Sequence, residues 1–244
     1  MSHLTRTFAT ANFIMQTTQI IDVIIPALNE EGAIANVIGD IPDIVRDIVV
    51  VDNGSSDATM QVAREAGATV LSEEERGYGA ACLKGISHLM AKSVRPDTVV
   101  FLDGDYSDYP EDLEQIVRPI LTDDIDMVIG SRVTGTSQKG SLTVPQRFGN
   151  WLATFLLRLI YGYRFTDLGP FRAIRFDKLL QLNMTDRNYG WTVEMQIKAA
   201  KQKLACQEVP VKYRVRIGKS KVSGTVKGSL MAGYKILYLL FRHV

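Results

Sequence analysis

The stretch Asp97–Asp105 (DTVVFLDGD) decides the fold of this 244-residue chain. Its centre is a run of β-branched and aromatic residues, typical of a strand buried on both faces of a sheet, and it ends in two carboxylates one residue apart. Similar runs occur on both sides of it. The pattern therefore predicts buried parallel strands over Ile20–Pro26, Asp47–Asp52, Asp97–Asp103 and Asp126–Ser131.

Segments of helical length lie between these runs. We expect helices over Glu31–Asp40, Asp57–Gly67 (capped by Ser56 or Asp57), Gly77–Lys92 and Pro110–Leu121. Because strand and helix alternate, the sequence predicts an α/β fold with a doubly wound, Rossmann-like sheet. The alternation stops after Arg132. The remaining predicted elements are a loop over Thr134–Thr143, a helix over Pro145–Tyr161, a turn over Gly162–Pro170, a helix near Trp191–Gln202, a strand over Ala205–Tyr213, a loop over Ile217–Gly224 and a helix over Thr225–His243.

Composition excludes several classes of protein. The chain has 28 Lys and Arg, 27 Asp and Glu and two cysteines without a C-x-x-C pair, so disorder, a disulfide framework and a thiolate metal site are not expected. No apolar run reaches the ~18 residues that a spanning helix needs. We expect a tail over residues 1–19, one domain over 20–224 and a C-terminal helix over 225–244, in a reducing compartment.

Charge is distributed unevenly along the chain. Residues 198–244 carry a net charge of +10 and residues 1–197 a net charge of −9. A basic C-terminal segment suits an anionic membrane surface, a phosphorylated ligand or a nucleic acid. The basic loop has few aromatic residues apart from Tyr213, so no nucleic-acid partner is expected.

Polar side chains follow the predicted strands at the sheet edge where open α/β folds bind ligands. Asn29 and Glu30 follow the first strand, Asp52 ends the second, and Asp103 and Asp105 end the one quoted above. Helix capping and turns explain each motif taken singly. Two carboxylates one residue apart suit a hard divalent cation, Mg²⁺ or Mn²⁺, whose other ligands are diphosphate oxygens and water. The first turn lacks G-x-G-x-x-G, so a nicotinamide site is not expected.

The motifs together carry a family resemblance. In order they are P-A-L-N-E-E (26–31), V-D-N-G-S-S-D-A-T (51–59), R-G-Y-G-A-A (76–81), L-D-G-D (102–105), G-S-R (130–132) and D-L-G-P-F-R (167–172). This order resembles that of the family 2 inverting glycosyltransferases of GT-A fold, and most of all the dolichyl-phosphate mannose and glucose synthases. The resemblance runs from about residue 20 to about residue 224.

The resemblance implies roles for individual residues. The residues implied in nucleotide-sugar binding are Pro26, Asn29, Glu30, Asp52, Arg76, Gly77, Gly79 and Asp103. Those implied in catalysis are Asp105, Asp167, Arg132 and Arg172, with Asp103 and Asp105 holding the metal. A mobile basic loop that closes over phosphates would contain Arg214, Arg216, Lys219, Ser220 and Lys221.

The resemblance favours a metal-dependent transfer of mannose or glucose from UDP-glucose or GDP-mannose to a polyprenyl phosphate. An acceptor phosphate is largely ionised at pH 7 and needs cations to position it. A hydroxyl acceptor would need a carboxylate base, for which Asp167 and Glu194 are the candidates. A glycosyltransferase with a soluble acceptor, a sugar nucleotidyltransferase and a silent binding module remain as alternatives.

The predicted last helix bears on location. Leu230, Tyr234, Leu237, Tyr238 and Phe241 form one apolar stripe on it, which suits either the surface of a membrane or a homodimer contact. We expect a cytoplasmic protein, peripheral at the cytoplasmic face of a membrane.

Overall fold

The computed structural model describes residues 19–218, 233–235 and 237–240. Its centre is a seven-stranded mixed sheet. The strands are β1 (Ile21–Ala27), β2 (Val45–Asp52), β3 (Thr69–Ser72), β4 (Thr98–Phe101), β5 (Met127–Ser137), β6 (Arg172–Arg175) and β7 (Cys206–Tyr213). Their order across the sheet is β3-β2-β1-β4-β6-β5-β7. The neighbouring strands β1–β4 are parallel to one another, β6 is antiparallel to both β4 and β5, and β7 is parallel to β5.

Helices cover both faces of the sheet. They are α1 (Ile34–Gly39), α2 (Thr59–Glu65), α3 (Tyr78–Ala91), α4 (Leu113–Thr122), α5 (Val144–Tyr161), α6 (Phe176–Leu182) and α7 (Trp191–Lys201), and a 3₁₀ turn at Pro110–Asp112 precedes α4. Because alternate strand residues point to opposite faces, the sheet separates two apolar cores. Ile24 and Phe101 pack with α3 and α7 on one face, whereas Val23 and Val100 pack with α1 and α4 on the other.

The predicted α/β fold is confirmed, and the differences have local causes. The predicted loop from Thr134 is strand as far as Ser137, because Thr136 and Ser137 resume pairing with β7 after a register shift. The first helix begins at Ile34 rather than Glu31. Asp57 lies just before the second helix, and its Oδ1 accepts a hydrogen bond from the Thr59 backbone N–H.

Three elements are additional to those predicted, namely β3, β6 and α6. The strand β6 has only four residues, two of them arginines, so it lacks the apolar run that identified the other strands. The seven-residue helix α6 follows it directly. Inserted between β4 and β5, β6 brings the loop before it to the carboxyl edge of the sheet.

The predicted C-terminal helix is described in part. Residues 233–235 and 237–240 are helical. Residues 219–232, 236 and 241–244, and residues 1–18 of the tail predicted over 1–19, lie outside the described residues. Leu239 and Leu240 are buried in a core of the domain, and the Tyr161 hydroxyl donates to the Leu240 carbonyl at 2.9 Å. Lys235 Nζ pairs with an Asp186 carboxylate oxygen at 2.9 Å. On the predicted stripe, Tyr234 and Tyr238 are exposed. The described part of this helix is therefore held against its own domain on one side.

In the described part of the chain, no helix is long and apolar enough to cross a membrane.

Candidate functional site

A cleft of about 1210 Å³ opens at the carboxyl edge of β1, β2 and β4. Side chains from distant parts of the sequence meet on its walls, as expected for an open α/β sheet. Of the residues singled out from the sequence, those lining it are Pro26, Glu30, Arg76, Gly77, Asp103, Asp105, Arg132, Asp167 and Arg216. Five others do not line it: Asn29 is exposed, Arg214 is half-buried, and Asp52, Gly79 and Arg172 are buried. Lys219, Ser220 and Lys221 lie outside the described residues.

Asp52 organises the turn after β2. Its Oδ2 accepts from the backbone N–H groups of Gly54 and Ser55, both at 3.1 Å. Its Oδ1 is buried and has no hydrogen-bond partner among the residues that the structure describes. A buried acceptor without a partner is costly, so this oxygen is suited to a donor that arrives with a ligand.

Asn53 pins a second loop beside that turn, a role that the sequence interpretation missed. Its amide nitrogen donates to the carbonyls of Glu73 (3.1 Å) and Glu75 (2.7 Å), and its oxygen accepts from the Gly77 N–H at 2.6 Å. Asparagine suits this position because it offers a donor and an acceptor on one side chain. Its place in the V-D-N-G motif was the available signal.

Gly77 and Gly79 are needed where two backbones approach closely. Gly77 has a φ of 149°, and a Cβ on it would clash with the Arg187 carbonyl. A Cβ on Gly79 would clash with the Asp186 carbonyl. These glycines therefore allow the segment before α7 to pack against the start of α3.

Negative charge is concentrated at the end of β4. Asp103 is partly exposed on the cleft wall, and its Oδ1 accepts from the Tyr78 hydroxyl at 3.0 Å. Asp105 is buried and accepts from the Ser107 N–H at 2.9 Å. Burial, followed by repulsion from Asp105, raises the pKa of Asp103 from 3.8 to about 7.

Asp108 is a third carboxylate at this end of the sheet, and the sequence interpretation did not select it. It is buried, and within the described ranges neither carboxylate oxygen has a hydrogen-bond partner. Burial, followed by repulsion from Asp103, holds its pKa well above the ordinary value. The sequence pattern does not identify Asp108 as a site residue, because a single aspartate between Tyr106 and Tyr109 is typical of a turn.

Arg216 bridges the two acidic parts of the cleft. Its guanidinium nitrogens lie 3.0 Å from Asp105 Oδ2 and 2.8 Å from Glu30 Oε1. The Ile217 N–H donates to the Asp105 carbonyl at 3.0 Å, which fixes the backbone beside it. A cation from the segment after β7 therefore lies against one carboxylate of the Asp103 and Asp105 pair.

Arg214, two residues earlier, has a different environment. Its guanidinium carbon lies 3.4 Å from the Tyr106 ring centre and 4.0 Å from that of Tyr109. It also donates to the carbonyls of Tyr106 (2.8 Å) and Asp108 (3.1 Å). Arg214 thus holds the loop that carries the carboxylates.

The opposite wall of the cleft presents an arginine paired with an aspartate. Arg132 donates through Nη2 to Asp167 Oδ1 at 2.6 Å and through Nε to Asp167 Oδ2 at 2.8 Å. Burial lowers the pKa of Arg132, but the hydrogen bonds to Asp167 outweigh it and the pKa is raised. The guanidinium is therefore a permanent positive charge in a fixed orientation.

The loop that carries Asp167 is clamped from several elements. Asn150 on α5 donates to the Thr166 carbonyl (2.9 Å) and accepts from the Leu168 N–H (2.8 Å). Glu208 on β7 accepts from the N–H groups of Thr166 and Asp167, at 2.9 Å and 3.0 Å. The Asp167–Arg132 pair is consequently held on a rigid support.

Arg172 and Glu194 take structural positions behind this wall. Arg172 is fully buried and donates to the carbonyls of Leu168, Gly169 and Thr192, and burial lowers its pKa to about 10. The buried Glu194 carboxylate accepts from the Asp186 N–H at 2.7 Å and pairs with a lysine. Neither side chain lines the cleft.

Comparison with known proteins gives the family. The Glycosyl transferase family 2 profile matches residues 22–182. The dolichyl-phosphate hexose transferase of Haloferax volcanii is 33% identical over 85% of this chain and 88% of its own. The UDP-N-acetylglucosamine–dolichyl-phosphate N-acetylglucosaminyltransferase of Methanococcus voltae is 29% identical over 91% of this chain and 95% of its own.

A solved structure agrees with the fold. Glucosyl-3-phosphoglycerate synthase from Mycobacterium tuberculosis, crystallised with Mn²⁺, UDP and glucosyl-3-phosphoglycerate, superposes with a TM-score of 0.72 at 24% identity, covering 92% of this chain and 80% of its own. The sheet is that of the GT-A glycosyltransferases. With the profile spanning most of the domain, the chain belongs to glycosyl transferase family 2.

Proposed function

We propose that the protein transfers a hexose, glucose or mannose, from UDP-glucose or GDP-mannose to a polyprenyl phosphate, with inversion at the anomeric carbon. The observation that supports a phosphate acceptor is the Arg132–Asp167 pair, which fixes a positive charge at the cleft wall. An ionised phosphate monoester is already a nucleophile, so it needs a positioned cation and no base. The two relatives that act on dolichyl phosphate by name support this acceptor.

The donor base is proposed to bind beside β2. Oδ1 of Asp52, for which the described ranges supply no hydrogen-bond partner, would accept the ring N–H that uracil and guanine both carry. Pro26, Glu30, Arg76 and Gly77 line the cleft, and we propose that they bind the nucleotide together with Asn29 and Gly79. Uracil and guanine both carry this N–H group, so UDP-glucose and GDP-mannose both remain in the proposal as sugar donors.

Asp103 and Asp105 are proposed to hold a divalent cation, Mg²⁺ or Mn²⁺. Their crowding fits this, since the pKa of Asp103 is raised by burial and by Asp105. Among the described residues no three His, Cys, Asp or Glu side chains are placed to hold a metal, so diphosphate oxygens and water would complete the shell. The bound cation would neutralise charge on the departing diphosphate. The Mn²⁺ and UDP in the M. tuberculosis structure support this proposal.

The proposed reaction is one in-line displacement. An acceptor phosphate oxygen forms a bond to the anomeric carbon while the bond from that carbon to the diphosphate breaks. The nucleoside diphosphate leaves with the electron pair. Arg132 would orient the acceptor, and Arg216 would exchange a carboxylate for the diphosphate. Lys219, Ser220 and Lys221 are proposed to join Arg216 there, with Arg214 holding the loop and Arg172 the wall behind the acceptor.

A soluble phosphorylated acceptor is the second candidate. The M. tuberculosis synthase, crystallised with phosphoglyceric acid, favours it. A hydroxyl on such an acceptor would need a base, whereas Asp167 is bonded through both oxygens to Arg132 and Glu194 lies behind the wall. The lipid phosphate is therefore preferred.

A matrix of donors and acceptors tests the proposal. Radiolabelled UDP-glucose and GDP-mannose are each incubated with Mn²⁺ and a short-chain polyprenyl phosphate, 3-phosphoglycerate or no acceptor. We expect label in the polyprenyl product with one donor. Label only in the 3-phosphoglycerate product would refute the lipid acceptor in favour of the soluble one. No transfer with any pair of donor and acceptor would refute the reaction.

A further inference from the structure

One face of α5 is an exposed apolar surface, called here the aromatic ridge. Its members follow one another at spacings of four, three, four and four residues, which places them on one side of a helix. They are Val144 (80% exposed), Phe148 (59%), Trp151 (58%), Phe155 (50%) and Leu159 (70%).

The ridge is preformed. The ring centres of Phe148 and Trp151 are 5.9 Å apart, and those of Trp151 and Phe155 are 5.8 Å apart and stacked. The other side of the helix is packed, since Ala153 and Leu157 are fully buried. The fold therefore fixes α5 in place and leaves a contiguous apolar face outward, a feature that marks a binding surface in a water-exposed protein.

The charge around the ridge indicates the kind of partner. Residues 133–166 contain no Asp or Glu and four cations, Lys139, Arg147, Arg158 and Arg164, all of them exposed. Aromatic residues ringed by Lys and Arg suit the boundary between the headgroups and acyl chains of an anionic bilayer. A two-fold contact between copies would instead place these cations against one another with no acid from this stretch to offset them.

The ridge is also continuous with the cleft. Trp151, Phe155, Arg147 and Arg158 line the cleft wall that holds the Arg132–Asp167 pair. A lipid-linked acceptor would therefore reach the cleft along this helix. The C-terminal helix, by contrast, has Leu239 and Leu240 buried in its own domain.

We propose that the aromatic ridge of α5 is the surface by which the protein docks on an anionic phospholipid bilayer, with the mouth of the cleft at the headgroups. The proposal rests on the lipid-phosphate acceptor proposed above. It locates the contact on α5, away from the C-terminal helix where the sequence had suggested it.

Tryptophan fluorescence tests the contact directly, because the chain has two tryptophans. Trp151 is on the ridge and Trp191 is only 1% exposed. The full chain is mixed with phosphatidylglycerol vesicles whose acyl chains are brominated. We expect quenching in the wild type and its loss in Trp151→Phe, which retains Trp191.

A binding assay complements the quenching. Phe148→Ser with Phe155→Ser should weaken sedimentation with phosphatidylglycerol vesicles by at least about tenfold. The matched control, Met90→Ser with Val94→Ser, removes two exposed apolar side chains elsewhere (43% and 56%) and should bind as the wild type does.

Three results would overturn the proposal. The first is an absence of quenching in the wild type, and the second is quenching of Trp151→Phe equal to that of the wild type. The third is shielding of Trp151 that depends on protein concentration in the absence of lipid, which would assign the ridge to a contact with a second copy. Failure of the proposed function can be distinguished from failure of the docking proposal. Transfer to a short-chain polyprenyl phosphate without vesicle binding refutes the docking alone, and vesicle binding without transfer to any polyprenyl phosphate supports the docking and refutes the function.

Discussion

Replacing Asp103 by asparagine should stabilise the metal-free protein at neutral pH. Asp103 lies beside Asp105 on the cleft wall, and burial and this neighbour raise its pKa to about 7 from 3.8. The folded protein therefore binds a proton at this group more tightly than the unfolded chain does. Its contribution to the free energy of unfolding falls as pH rises from about 4 to about 7 and is constant above that.

The size of the effect follows from the shift. About three pH units at 1.36 kcal/mol each give about 4 kcal/mol as an upper limit. Asp103 is partly exposed to cleft water, which screens its charge, so we expect about 2 kcal/mol. The neutral amide of the Asp103→Asn variant would lack this penalty while keeping an oxygen for the Tyr78 hydroxyl.

Urea denaturation in EDTA across pH 4–8 measures the difference. The free energy of unfolding of Asp103→Asn minus that of the wild type should grow by about 2 kcal/mol between the ends of that range. Asp43→Asn, at an exposed carboxylate, is the control and should show no such growth. A difference that is independent of pH, or a variant less stable than the wild type at pH 8, would refute the reasoning.

Three further predictions concern the cleft. Asp105→Asn should lower turnover at least ~10²-fold, and EDTA should abolish activity that Mn²⁺ restores; full activity in EDTA would contradict the metal proposal. Asp52→Ala should weaken nucleoside-diphosphate binding in calorimetry while leaving the KM for the acceptor near its wild-type value, and an unchanged donor affinity would remove Asp52 from the base site. Arg172→Met should lower the midpoint of thermal unfolding by several degrees, because it removes a buried group that is hydrogen-bonded to three carbonyls. Arg216→Gln should leave that midpoint unchanged and raise the KM for the sugar donor. The reverse pattern would exchange the roles of the two arginines.

The sequence was informative where the pattern is local. Buried runs such as Val23–Ile25 predicted the parallel strands, and the polar residues after them predicted the edge that holds the cleft, because parallel strands bring their carboxyl ends together. The four residues of β6 have no such pattern, and they form a strand only because β4 and β5 flank them. Asp108 is identified by its burial and by the lack of a hydrogen-bond partner in the described part of the chain, and both are properties of the folded chain alone.

The arginines show why motif membership does not fix a role. Arg172 and Arg214 bond to backbone carbonyls, and Arg214 also stacks on tyrosine rings, so moving either side chain would leave buried acceptors unpaired. Arg132 and Arg216 bond to carboxylates on the cleft wall. A guanidinium that binds a carboxylate bidentately or bridges two of them can exchange that partner for a phosphate of similar geometry without loss of charge pairing. The chemistry of the partner, carbonyl or carboxylate, therefore separates the arginines that build the cleft from those that can meet a ligand in it.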